Sequence, residues 1–181
     1  MSRNKTILIW DAISGDMPKH DLLVLWQSYE TNNVKNQISI PRLIEEKAEK
    51  IKSQYLSLIY DLGEAKLNGK RIIEHLAIRP NFSYWWMTLL SEKCNYAKSL
   101  QIDNIIKIMA LNERLKQEKF QTILLVSSNR NLSISLSNRA SILGINYKWH
   151  KIANTKVLKK NKKTLYRKLP HPLQALLWII K

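Results

Sequence analysis

A chain of 181 residues with 45% apolar side chains and six tryptophans can bury one core of ordinary size, which excludes a disordered polymer. Its single cysteine, Cys94, excludes an internal disulfide framework and a thiolate metal site, and it predicts a reducing compartment. The 30 Lys and Arg outnumber the 14 Asp and Glu, so a net charge of +16 points to polyanionic partners: nucleic acid, anionic head groups or phosphorylated substrates.

The first segment, "MSRNKTILIWDAISG", has a basic start but an apolar run too short for a signal-peptide core. No run reaches the roughly 18 apolar residues of a membrane span. The expected location is therefore cytoplasmic. "KTILIW", residues 5–10, is β-branched and apolar and breaks into "DAISGD", as a buried first strand enters its loop. "LLVLW", residues 22–26, predicts another strand. From Pro41 the apolar period changes to three and four, through Ile44, Ala48, Ile51 and Tyr55. One amphipathic helix to about residue 60 is expected, with Pro41 near its first turn.

Asn68-Gly69 predicts a turn before a short helix in "KRIIEHLAI". In "FSYWWMTLLSEK", Trp85 and Leu89, like Trp86 and Leu90, repeat at i, i+4, which predicts a helix there as well. Asp103 is placed as the N-cap of a helix running through "NIIKIMALNERLKQEK". The cleanest unit follows, with a strand at 122–126, a polar turn at 127–131, a helix at 132–142, Gly144 as C-cap and a strand at 145–149. A β-α-β unit requires parallel pairing, so the strands at 5–10 and 122–126 are expected as partners in one Rossmann-like α/β sheet. That domain is expected to span residues 1–155. Residues 156–181 then form a basic segment and an apolar C-terminal helix.

Two loops qualify as ligand sites, because open α/β sheets bind ligands at the carboxyl ends of their strands. Asp11, Ser14, Gly15 and Asp16 follow the first strand and offer carboxylates, a hydroxyl and backbone N–H groups. They also fit an ordinary Asp- and Ser-rich turn, and the loop is neither GxGxxG nor a P-loop. Ser128, Asn129 and Arg130 open the later helix, where an anion is favoured and Arg130 supplies a forked donor. They equally fit a simple helix cap. Trp85 and Trp86 are read either as core packing or as a stacking platform for a sugar or base. In "KVLKKNKKTLYRK", 156–168, seven of thirteen residues are basic, and Lys159, Lys160, Lys162, Lys163 and Arg167 fit either a solvated loop or contact with anionic lipid. The four histidines (His20, His75, His150, His171) show no HExxH and no catalytic relay, so no metal is assigned.

The phrases "ILIWDAISGD", "IPRLIEEKAEKI", "NGKRIIEHLAI", "FSYWWMTLLSEK" and "KLPHPLQALLW", in that order, resemble the N-terminal half of bacterial surface-carbohydrate (O-antigen) biosynthesis proteins, a glycosyltransferase family. The resemblance runs from about residue 5 to 180. It implies the acceptor-side domain of a two-domain transferase, with Asp11 or Asp16 as base for an acceptor hydroxyl. It also implies an anionic group held by Ser128, Asn129 and Arg130, a lipid-linked or glycan acceptor with Trp85 and Trp86 packed beneath its site or stacked on its sugar, and peripheral contact with the inner membrane. The nucleotide-sugar donor falls mostly to a C-terminal partner domain. Family members are much longer, which implies a truncated or split product, inactive alone. The alternatives are a basic nucleic-acid-binding module, for which no recognisable motif is present, and a non-catalytic interaction domain docking through the C-terminal helix.

Overall fold

The computed structural model describes residues 5–29, 35–92 and 99–153. Five strands form one parallel sheet: β1 (Thr6–Trp10), β2 (Leu22–Leu25), β3 (Gln37–Ser39), β8 (Thr122–Ser127) and β9 (Asn146–Lys151). Their order is β3-β2-β1-β8-β9, so the chain moves outward from β1 in one direction and later returns to its other side. The expected partnership of the first and later strands is present, with Thr6 opposite Thr122 and Trp10 opposite Val126. β1, β2 and β8 are apolar on both faces, as a doubly covered parallel sheet requires. The result is an α/β architecture compatible with a Rossmann-like fold.

The two faces of the sheet are built differently. Ile7, Ile9, Val24, Ile123 and Leu125 point into the main core. There they meet Ile40 and Leu43 of α1 (Ile40–Glu46), Ile51 of α2 (Ala48–Glu64), Ala110 and Leu111 of α4 (Leu100–Leu115), and Leu132 and Leu136 of α5 (Arg130–Leu143). The alternate side chains, Leu8, Trp10, Leu23, Leu25, Leu124 and Val126, form a second buried cluster joined by Ala12 and Ile152. No described helix contributes to that cluster. The β1–β2 connection, residues 11–21, crosses without a helix, although parallel strands are usually joined by one.

Three expectations are corrected. The helix from Pro41 is two helices, because Lys47 leaves helical geometry at φ −119°, ψ 25°. Its N–H still reaches the Leu43 carbonyl at 3.1 Å, so the chain changes axis without losing its hydrogen bonds. α4 starts at Leu100 after Ser99, and Asp103 sits in its first turn, where a carboxylate opposes the positive helix end without capping it. The WW segment is not an α-helix. It is a single 3-10 turn, Tyr84–Met87, capped by Ser83, whose hydroxyl accepts from Trp85 N–H. Continuing it as an α-helix would give the Trp85 carbonyl to Leu89 N–H. Instead that carbonyl accepts from the Thr88 hydroxyl at 2.7 Å and the Ser91 hydroxyl at 2.8 Å. The terminal helix, the 156–168 cluster and the boundary after residue 155 lie outside the described residues.

Between α2 and α4 the chain forms a small lobe at residues 65–92. β4 (Lys66–Leu67) and β5 (Lys70–Arg71) make a hairpin, and α3 (Ile72–His75) follows. β6 (Ala77–Arg79) and β7 (Phe82–Ser83) make a second hairpin. Asn68 and Gly69 both have positive φ, 51° and 82°, the combination a two-residue hairpin turn demands.

Candidate functional site

The strand order turns around β1, so the crevice for a ligand lies at the carboxyl ends of β1 and β8. Asp11 and Ser127 meet there. The Ser127 hydroxyl donates to Asp11 Oδ2 at 2.6 Å, and the Gln27 amide donates to Asp11 Oδ1 at 2.8 Å. Parallel register produces this meeting, because Trp10 pairs with Val126 and the next residue of each strand lands side by side. The Asp11 N–H is fixed to the Val126 carbonyl at 2.9 Å. Each carboxylate oxygen thus has one donor and keeps lone-pair capacity for another.

Behind Gln27 lies a buried cation. Lys107 of α4 donates to the Gln27 side-chain oxygen at 2.8 Å and pairs with Asp103 at 2.9 Å, one helical turn away. Its side chain is 8% exposed. An ammonium withdrawn from water requires such partners, and the Asp103 carboxylate supplies the charge. Beside it the Trp26 indole, fully buried, donates to Asn104 at 3.1 Å. A continuous polar path therefore runs Asp103–Lys107–Gln27–Asp11–Ser127. Ser127 extends it to the α5 entrance, where Asn129 N–H donates to the Ser127 hydroxyl at 2.9 Å.

The described residues singled out from sequence fall in different places. Asp11 and Asn129 lie on this path or at its end. Asn129 caps α5, its side chain accepting from Leu132 N–H at 3.1 Å, and Ser128 lies between it and Ser127. Arg130 is the first residue of α5 and is exposed, with no ion pair among the described residues. Ser14, Gly15 and Asp16 lie in an exposed bend of the β1–β2 connection and share no hydrogen bond with Asp11 among the described residues. Gly15 has φ 136°, and a β-carbon there would stand 3.6 Å from the Trp10 ring, so this bend lies over the second sheet face. Trp85 and Trp86 belong to the separate lobe. Among the described residues no group of three His, Cys, Asp or Glu side chains could hold a metal ion. No described helix is long and apolar enough to cross a membrane.

No family model matches this chain, and no curated protein or solved structure matches it either. The site therefore rests on its own geometry.

Gln27 and Lys107 were not singled out from sequence, and Asp103 was read only as a helix cap. One signal was legible: Trp26-Gln27 follows β2 just as Asp11 follows β1, and residues in that position face the crevice of a parallel sheet. The i, i+4 pair Asp103–Lys107 was legible too, but only packing shows that it points at Gln27.

Proposed function

We propose that the chain is the acceptor-side α/β domain of a glycosyltransferase of bacterial surface-polysaccharide assembly, with the acceptor bound at the β1–β8 crevice. The observation that carries the reading is the Asp11 carboxylate, held by Ser127 and Gln27 at the point where strand order turns. A carboxylate with both oxygens oriented and lone pairs remaining can accept a hydrogen bond from a sugar hydroxyl and take its proton during transfer. Lys107, through Gln27, sets the amide so that its NH₂ faces Asp11. Arg130 and the α5 entrance supply donors for an anionic group, such as the phosphate of a lipid-linked acceptor. Asp11 is favoured over Asp16 as the base because it alone is oriented by two donors. The nucleotide-sugar donor is assigned mainly to a partner domain, since no glycine-rich phosphate loop follows a described strand.

The test is an amide-resolved NMR titration of the whole chain with a short-chain prenyl-phosphate-linked sugar. Shifts are expected at Asp11, Gln27 and Ser127–Arg130, with Asp11→Asn weakening the response and leaving the rest of the spectrum unchanged. Shifts confined to other parts of the molecule would remove the assignment. In a glycan-defective strain, Asp11→Asn is expected to abolish complementation that the wild type, supplied with its donor-side domain, provides.

A further inference from the structure

The lobe at 65–92 is rigidly built yet hides very little of itself. Of its large apolar side chains only Trp85 is buried, at 5% exposure. Trp85 packs on α2 at Gly63, where a β-carbon would stand 3.0 Å from the indole nitrogen. The Tyr55 hydroxyl of α2 donates to the Leu90 carbonyl at 2.8 Å, and Tyr84 N–H donates to the Leu76 carbonyl at 2.8 Å. The Ser83 hydroxyl reaches the Ile73 carbonyl at 2.6 Å. These contacts fix the backbone on which the neighbouring side chains are displayed.

Those neighbours point outward. Trp86 is 54% exposed, Tyr84 50% and Met87 60%, and Tyr84 and Met87 stand three residues apart in a 3-10 turn, where side chains eclipse. Ile78 and Leu89 are exposed as well. Aromatic and aliphatic side chains standing in water within a dozen residues mark an interaction surface.

Charge and side-chain chemistry select the occupant. The Arg79 guanidinium lies 5.1 Å from the Phe82 ring centre, so a cation sits within the aromatic cluster. Lys66 and Lys70 form no ion pair among the described residues, whereas the lobe's Glu74 is already taken by Arg71 at 2.8 Å. Residues 65–92 carry Lys66, Lys70, Arg71 and Arg79 against Glu74 and Glu92, a cationic balance in a chain of net charge +16. A second copy would bring like charge to like charge. A sugar would leave Met87, Ile78 and Leu89 without apolar partners, and a nucleic acid would do the same. An anionic bilayer matches every part: tryptophan and tyrosine settle at the head-group level, aliphatic side chains reach the acyl boundary, and cations meet lipid phosphates.

We propose that the 65–92 lobe is a membrane-interface anchor that seats Trp86, Tyr84 and Met87 in the head-group layer of an anionic bilayer. The proposal stands independently of the transferase reading, because it uses no residue of the β1–β8 crevice. The test is co-sedimentation of the full chain with phosphatidylcholine vesicles, with and without phosphatidylglycerol. Wild type is expected to bind the anionic vesicles preferentially, and the double variant Tyr84→Ala/Trp86→Ala to lose about tenfold or more in partitioning. Its thermal melting should match wild type, since both side chains are exposed. A second variant, with Lys159, Lys160, Lys162, Lys163 and Arg167 all changed to Gln, separates the other basic segment. Undiminished binding by the aromatic variant, with binding lost only in the glutamine variant, overturns the proposal. Failure of wild type to bind either vesicle overturns it too.

Discussion

The β8-α5-β9 unit and the 65–92 lobe are of comparable length and are held by different means. The first buries Ile123, Leu125, Leu132, Leu136 and Ala140 in the main core, and its strands pair along their full length. The second has two short hairpins, one helical turn and one 3-10 turn, fastened by a single tryptophan and a few hydrogen bonds. Burial spread over many side chains ties the first unit to the whole core, so a loss at any one of them is shared by the entire sheet. Concentrating attachment in Trp85 leaves the lobe's remaining aromatics available for contact.

The sharpest test of that contrast is Trp85→Ala, expected to cost about 3–5 kcal/mol. Hydrogen exchange should show lost protection confined to residues 65–92 and the facing end of α2. Uniform loss that includes β8 would mean the lobe and the sheet are one cooperative unit. Leu125→Ala, fully buried in β8, should cost about 2–5 kcal/mol and lower the unfolding midpoint of every probe together. Gly144 ends α5 in the left-handed region at φ 66°, with its N–H on the Ser141 carbonyl at 3.1 Å. Gly144→Ala meets no steric neighbour there, so its expected penalty of about 1–2 kcal/mol is purely conformational and readable by chemical denaturation.

Acid distinguishes the regions in another way. Glu113 of α4 is 5% exposed and accepts from Lys50 and Gln54 of α2 and from Lys116, which lowers its pKa from 4.5 to about 2. A depressed carboxylate contributes stability that is present above its unfolded value and lost as pH falls through the folded one. Stability should therefore decline between about pH 4.5 and pH 2 as the α2–α4 contact loses this charge, and Glu113→Gln should flatten that part of the profile. Measuring unfolding midpoints across this range for both proteins checks it. The smallest effect is expected for Trp86→Ala, within about 0.5 kcal/mol of wild type in stability. A large loss there would show that Trp86 supports the lobe as Trp85 does.

Much of the architecture was legible because it is local. In β8-α5-β9 the strand propensity, the turn, the helical period and the C-capping glycine all agree, and the parallel pairing of β1 with β8 follows from that unit. Strand β3, "QIS", escaped because three residues carry no period of their own. The helical reading of "YWWMTLLS" failed for a specific reason: spacing says nothing of the Thr88 and Ser91 hydroxyls that capture the Trp85 carbonyl. Within the candidate site, the position of Asp11 was legible from its place after a strand. Gln27 and Lys107 were not, since 80 residues separate them and nothing local joins them.

The sequence by itself determined the class of fold, the basic character and the carboxyl-end loop carrying Asp11, because periodicity, charge and strand ends are properties of short stretches. Only the tertiary structure decided which of two adjacent tryptophans is buried. Both have the same propensity and stand side by side in one aromatic run. Gly63 leaves room on α2 for the Trp85 indole, which is buried there, while Trp86 remains 54% exposed.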